Sequence, residues 1–204
     1  MKNRKTNEST VKIGNQEWMT NNLNVATFKN GDAIPEAQTS EAWIKAGEEV
    51  KPAWCYYDND PENGNKYGRL YNWYAVTDPR GLAPSGWHIP SDAEWTTLTD
   101  YLGGEAAAGH KMKSKAGWND NGNGSNTNGN GCNTSGFSGL PGGIRSIRSG
   151  KGTFNDVGDD GYWWSSTKYM KIYVWNRVLY CSYGFVGRSN NYKALGFSVR
   201  CLRD

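Results

Sequence analysis

The stretch Asp58-Asn59-Asp60-Pro61-Glu62-Asn63-Gly64 spaces its oxygens much as a calcium loop does. An EF-hand loop needs glycine at its sixth position and glutamate at its twelfth. Here glycine is seventh and the twelfth residue is Arg69, so a polar turn is the expectation. Asp156, Asp159 and Asp160, set among glycines, form a second carboxylate cluster, which reads as a solvated loop before it reads as a metal site. His88 lies in a Gly-Trp-His-Ile-Pro run, where a buried, hydrogen-bonded role outweighs acid–base catalysis. Cys55, Cys132, Cys181 and Cys201 show no CxxC spacing, which excludes zinc clusters and thioredoxin-like redox pairs. They allow zero, one or two disulfides, a choice the sequence leaves open. No Ser/His/Asp order, phosphate-cradling glycine loop or nucleotide fingerprint stands in its required context. No catalytic residue, metal ligand or cofactor is assigned.

The C-terminal region carries a different kind of chemistry. Between the regular flanks Trp164–Thr167 and Gly196–Cys201, residues 168–195 mix Tyr, Cys, Ser, Gly, Phe, Val and Asn with no sustained period of 2 or 3.6. Tyr173, Tyr180, Tyr183, Phe185 and Tyr192 offer rigid amphipathic contact area, and Ser182, Ser189, Asn190 and Asn191 offer adaptable hydrogen bonding. That is the composition of a binding surface built like a paratope. Two ordinary edge strands with a loop is the plainer alternative.

Elements must hold such a surface. Residues 1–10 are polar and read as a flexible lead-in to a single domain over 11–204. Val11–Ile13, Gly14-Asn15 and Glu17–Met19 predict a short hairpin. A helix is expected over Ser40–Glu49, capped by Ser40 with Trp43 and Ile44 inward. The strongest helix signal follows Pro90. Ser91 and Glu94 form a capping box, Trp95, Leu98, Tyr101 and Leu102 make an apolar stripe, and Gly103-Gly104 ends it. Residues 119–131 hold six Asn and four Gly, a surface loop by composition. Short strand-like runs follow at Gly143–Ile147, Tyr162–Ser166, Tyr173–Tyr180 and Phe197–Leu202. The class is α+β, with one or two helices beside a small, irregular antiparallel sheet.

Composition narrows the partners. The chain has 204 residues with 23 Lys and Arg against 20 Asp and Glu, so no large basic field invites nucleic acid. Mean hydropathy is −0.80, and no apolar run approaches the ~18 residues of a membrane span. No signal peptide is expected in the opening MKNRKTNEST, where no apolar stretch follows the basic residues. His88 and His110 are too few for a His-built transition-metal site. Leu, Ile, Val and Phe together supply only 30 residues, but 10 Trp and 12 Tyr restore the apolar area needed for a core.

Six blocks carry a family resemblance: IGNQEWMTNNLNV (13–25), YGRLYNWYAV (67–76), GLAPSGWHIPSDAEW (81–95), SGFSGLPGGIRS (135–146), GYWWSST (161–167) and GFSVRCLRD (196–204). In that order they resemble the Fibrobacter succinogenes major paralogous domain. The resemblance implies a C-type-lectin-like fold, close to that of formylglycine-generating enzymes. It also implies an extracellular, cell-surface or virion location. Some members are diversified by retroelements in gut bacteria and their phages, and Trp175, Arg177, Leu179, Val186, Arg188 and Lys193 are spaced like the fixed positions of such variable regions. Adenine mutagenesis of AAC or AAT codons cannot produce Gln, Glu, Lys, Met or Trp. None of these occurs at the eighteen positions 172–174, 176, 178, 180–185, 187, 189–192, 194 and 195, whereas Met170 and Lys171 break the rule.

The candidate ligand-binding set is therefore Ile172, Tyr173, Val174, Asn176, Val178, Tyr180, Cys181, Ser182, Tyr183, Phe185, Ser189, Asn190, Asn191, Tyr192 and Leu195. The expected partner is a protein or glycan on a cell surface, and no Glu-Pro-Asn or Gln-Pro-Asp signature selects sugar. Trp18, Trp73, Trp87, Trp95, Trp163 and Trp164 are expected to hold the scaffold. One alternative is a non-diversified adhesion domain. Another is a formylglycine-generating oxidase, because Gly196–Cys201 resembles that family's Gly-Phe-Arg-Cys ending. That chemistry needs a second cysteine five residues before the first, and position 196 is glycine. Cys201 is expected to be a buried strand residue or half of a disulfide with Cys55 or Cys132, and Cys181 to be free.

Overall fold

The structure, a computed structural model, describes residues 9–120, 129–147 and 150–204. Residues 1–8 of the expected lead-in and 121–128 of the Asn/Gly-rich stretch lie outside the described residues. Ser9 and Thr10 do not belong to a flexible segment, because Ser9 accepts the Thr20 amide and Thr10 starts a strand. Strands β1 (Thr10–Ile13) and β2 (Gln16–Met19) form the expected hairpin around Gly14, whose φ of 61° suits the two-residue turn. Five α-helices are present among the described residues, against the one or two expected, and the class is α+β.

Each departure has a local cause. Helix α1 (Ser40–Glu48) starts one residue early because Thr39, not Ser40, accepts the Ala42 amide. Trp43 points inward as expected, while Ile44 is only half-buried. After strand β3 (Trp54–Cys55), the calcium-like stretch becomes helix α2 (Pro61–Tyr67). Asp60 is its N-cap, accepting the Glu62 amide at 2.9 Å, and Pro61 fills the first turn. The Asp60 carboxylate thus serves as a helix cap. Strand β4 (Leu70–Tyr71) pairs with β3, and the one-turn α3 (Trp73–Val76) hangs on Asn72, whose side chain accepts the Ala53 and Ala75 amides. Strand β5 (Trp87–His88) precedes α4 (Asp92–Tyr101), which carries the full Ser91/Glu94 capping box. Trp95, Leu98 and Leu102 are buried, but Tyr101 is 66% exposed and lies against the Gly14 turn. Helix α5 (Glu105–Met112) follows directly.

A five-stranded sheet holds β6 (Gly142–Arg145), β7 (Phe154–Val157), β8 (Asp160–Lys168), β9 (Tyr173–Tyr180) and β10 (Val186–Tyr192), in the order β10-β9-β8-β6-β7. The expected last strand shrinks to β11 (Leu202–Arg203), which enters a second sheet ordered β1-β2-β11-β5. Residues 196–198 make only isolated bridges to Arg145, Tyr71 and Trp163, because they thread between elements already paired.

The six expected scaffold tryptophans are all buried. Trp18 and Trp95 lie 4.8 Å apart by ring centroid, and Phe137 sits 5.8 Å from Trp18, Trp95 and Trp163. Such aromatics cost about 3–5 kcal/mol each when truncated to alanine, so they carry much of the stability. Arg145, Arg177 and Arg200 are buried as well. Arg200 lies over the Phe137 ring and donates to the Met19 and Phe137 carbonyls and to Asn22 Oδ1. Burial pulls its pKa down to about 9. No helix among the described residues is long and apolar enough to cross a membrane.

Candidate functional site

The candidate set falls on the β9–β10 hairpin and its approach. The register pairs Val186 with Leu179, Arg188 with Arg177, Asn190 with Trp175 and Tyr192 with Tyr173. Alternation puts these on one face and Val174, Asn176, Val178, Gly187, Ser189 and Asn191 on the other. The spaced positions Trp175, Arg177, Leu179, Val186 and Arg188 share the first face, which packs on α4 and α5. Arg177 Nη1 and Arg188 Nη2 each meet Asp92 of α4 at 2.6 Å, and the Arg188 guanidinium lies 3.8 Å from the Trp175 ring. Lys193 sits over Trp73 and donates to the Lys171 carbonyl.

The opposite face corrects part of the sequence reading. Val174, Asn176 and Val178 are buried and cannot meet a ligand, and Leu195 is buried apart from its share of a cleft floor. Sequence patterning hid this because β9 is covered on both sides, so its alternation vanished. Ile172, Tyr173, Tyr180, Cys181, Ser182, Tyr183, Phe185, Ser189, Asn190, Asn191 and Tyr192 all keep some exposure. Apart from Ser189, which sits midway along β10 opposite Asn176, they divide between the two ends of the hairpin, about 23 Å apart along seven strand steps.

At the turn, Tyr180, Tyr183 and Phe185 pack into one cluster, with centroids 5.9, 5.3 and 5.0 Å apart. Tyr183 is 56% and Phe185 39% exposed. The three rings form one contiguous, solvent-facing apolar cluster on the turn. At the far end Tyr173 and Tyr192 tilt together at 4.6 Å with their hydroxyls 2.8 Å apart, beside exposed Ile172. Tyr169 and Met170, outside the candidate set, add exposed apolar area there.

Two adjoining hollows flank that far end and share Asn191 and Leu195. The smaller, about 340 Å³, is lined by Tyr173, Asn190 and Tyr192, and the larger, about 560 Å³, reaches Tyr162, Phe197 and Asp156. Tyr162 Oη lies 3.0 Å from Asp156 Oδ2 and 2.9 Å from Asp160 Oδ2. A phenol has one proton, so it satisfies one carboxylate, and the other carboxyl must bring its own. Burial raises the Asp160 pKa to about 6, so it holds its proton to higher pH than an ordinary carboxyl. Asp159 turns away to accept Asn119 Nδ2. Among the described residues no three His, Cys, Asp or Glu side chains gather as a metal site.

The remaining chemical candidates are His88 and the cysteines. His88 holds Asp204 through Nδ1 and Glu94 through Nε2, each at 2.9 Å. Cys55 and Cys201 are buried in different clusters, Cys55 with its thiol pushed up to about 12 by burial. No disulfide joins the four cysteines, and Cys181 is a free thiol at the hairpin turn. Cys201 is buried, as expected, in the same apolar cluster as Trp164 and Phe197. Sequence reasoning missed the buried Lys113 and the three buried arginines. Their signal is faint, since a buried cation looks like any other Lys or Arg in a sequence. Residues 11–203 match the model of a family described as the Fibrobacter succinogenes major domain. No curated protein and no solved structure matches the chain.

Proposed function

We propose that this chain, which belongs to the Fibrobacter succinogenes major domain family, is a ligand-binding display module rather than an enzyme. Its contact surface is the hairpin turn, with Tyr180, Tyr183 and Phe185 as anchors and Ser182 as an adaptable polar contact. The observation that carries this reading is the packed, solvent-facing aromatic cluster on a turn backed by a tryptophan-rich core. Rigid aromatics supply contact area at low entropic cost. We assign the scaffold to the C-type-lectin-like class and the location to the cell exterior or a virion. The ligand is a protein or glycan surface.

The pattern of free and fixed positions further supports a hairpin diversified by a retroelement. Trp175, Arg177, Leu179 and Arg188, spaced like the fixed positions of such variable regions, face the helices, and the exposed tip positions all obey the adenine rule. Sequencing the flanking DNA tests this directly. A near-copy of the codons for 160–204, differing only at adenines and lying beside a reverse transcriptase, is the expected finding. Copies identical across 170–195 would leave a non-diversified adhesion domain. Binding of the labelled domain to bacterial cells tests the surface itself. Cell binding unchanged in Tyr183→Ala and Phe185→Ala would remove the tip from the site.

A further inference from the structure

Lys113, at the C-terminal end of α5, is 3% exposed, yet no carboxylate lies within ion-pair distance of it among the described residues. Its ammonium instead donates to three backbone carbonyls: Gly129 at 2.7 Å, Tyr180 at 2.9 Å and Tyr183 at 3.1 Å. An ammonium has three donors, and all three are used. Two further tethers hold the same turn. The His110 amide donates to the Gly184 carbonyl at 2.9 Å, and the Cys181 amide donates to the Asp159 carbonyl at 2.7 Å. Gly109 makes room for the approach, since a Cβ there would stand 2.4 Å from the Phe185 oxygen and 2.5 Å from the Gly184 oxygen.

Apart from the Lys113 bond to Gly129, every one of these contacts reaches tip backbone, and none uses a tip side chain. Among the described residues, Tyr180, Tyr183 and Phe185 make no side-chain hydrogen bond to the scaffold, and their rings pack on one another.

We infer that Lys113 is a positioning residue that fixes the main chain of the turn independently of which side chains the turn carries. Burying a cation is costly unless its donors are met, and desolvation does pull the Lys113 pKa down. Three carbonyls offset that cost only while the loop keeps its path. The loop is therefore preorganised, and contacts presented from it need no ordering at the moment of binding. The inference rests on the display reading for its purpose, but the ordering itself can be measured without any ligand.

The experiment is amide hydrogen exchange followed by NMR on three forms of the full chain: wild type, Lys113→Met, and Tyr180→Ser/Tyr183→Ser/Phe185→Ser. In Lys113→Met, the Cys181 and His110 amides are expected to exchange at least about tenfold faster, while Trp95 and Leu98 in α4 keep wild-type rates. A purely global loss of stability would move all four together. In the triple tip variant, the Cys181 and His110 amides are expected to stay within about threefold of wild type. Unchanged tip exchange in Lys113→Met, or a tip variant that frays or fails to fold, overturns the inference. If Lys113→Met does not fold, the tip variant alone decides. A tip variant that stays ordered but binds cells like wild type overturns the display reading and leaves the Lys113 inference standing.

Discussion

Replacing Asp92 by alanine probes how the candidate hairpin is fixed to its scaffold. Asp92 Oδ1 accepts Arg177 Nη1 and Oδ2 accepts Arg188 Nη2, both at 2.6 Å, and Arg188 Nε lies 3.2 Å from each oxygen. The two arginines are unequal: the Arg177 side chain is 1% exposed, the Arg188 side chain 39%. Without the carboxylate, Arg188 can turn to water. Arg177 cannot, and it keeps only Thr96 Oγ1 at 3.0 Å and main-chain carbonyls as acceptors, with its Nε already lacking a partner. Breaking a buried pair from one side costs about 3–5 kcal/mol. At a urea m-value of roughly 2 kcal/mol/M, the midpoint should fall by about 1.5–2.5 M with m unchanged. Arg188→Ala, which removes the exposed partner, should cost only about 1 kcal/mol. Adding Arg177→Met to Asp92→Ala should recover part of the loss, because the stranded charge then goes too. Urea denaturation followed by tryptophan fluorescence reads all four proteins. An Asp92→Ala cost below about 1 kcal/mol, or equal to that of Arg188→Ala, would refute the claim that this carboxylate compensates a buried guanidinium.

Four further outcomes follow from the same structure. Gly109→Ala should destabilise by about 1–3 kcal/mol in thermal unfolding, because its Cβ would enter the Gly184 and Phe185 carbonyls. Burial works to raise the Asp92 carboxyl, and hydrogen bonds from Arg188 and Arg177 outweigh it. The resulting low folded value gives stability that is present above the unfolded pKa near ~3.9 and lost as pH falls through the folded one, a limb that Asp92→Asn should flatten. Asp160 has the opposite sign: its folded value of about 6 lies above the unfolded one, so stability should fall as pH rises between the two, and Asp160→Asn should remove that fall. At His88, burial lowers the imidazole pKa, but the bonds to Asp204 and Glu94 raise it further. That stability is full below the unfolded value near ~6.5 and is lost as pH rises through the folded value, a loss absent in His88→Ala.

Legibility in the sequence followed the range of the interactions concerned. The β1–β2 hairpin and the α4 capping box were readable because both are written within six residues, in a Gly-Asn turn and a Ser-x-x-Glu box. Helices α2 and α5 were not, since α2 depends on Asp60 acting as a cap rather than an ion ligand. Helix α5 carries Gly109, a poor helix former whose value lies in its approach to the distant Gly184. The terminal strand was overestimated because the apolar residues Phe197, Val199, Cys201 and Leu202 announce burial without saying whether a paired edge is available.

The candidate site shows the same division more sharply. A codon rule identifies which residue types a position can hold, and it is blind to the direction a side chain takes. Val174, Asn176 and Val178 pass the rule and yet lie in the core, where a change of volume is felt at once. Only strand alternation, read with the register of β8, β9 and β10, separates them from Tyr183 and Phe185. Val174 and Val178 must stay small and apolar for the domain to fold, and Asn176 must keep its bond from Asn191. The exposed Tyr183 and Phe185 side chains are under no such demand, because Lys113 and the His110 and Cys181 amides hold the main chain of the turn. Exposure therefore concentrates at residues 183–185, whereas Cys181 still packs against the core and Val174, Asn176 and Val178 lie inside it. A binding surface that changes its side chains must draw on the first group and leave the second alone.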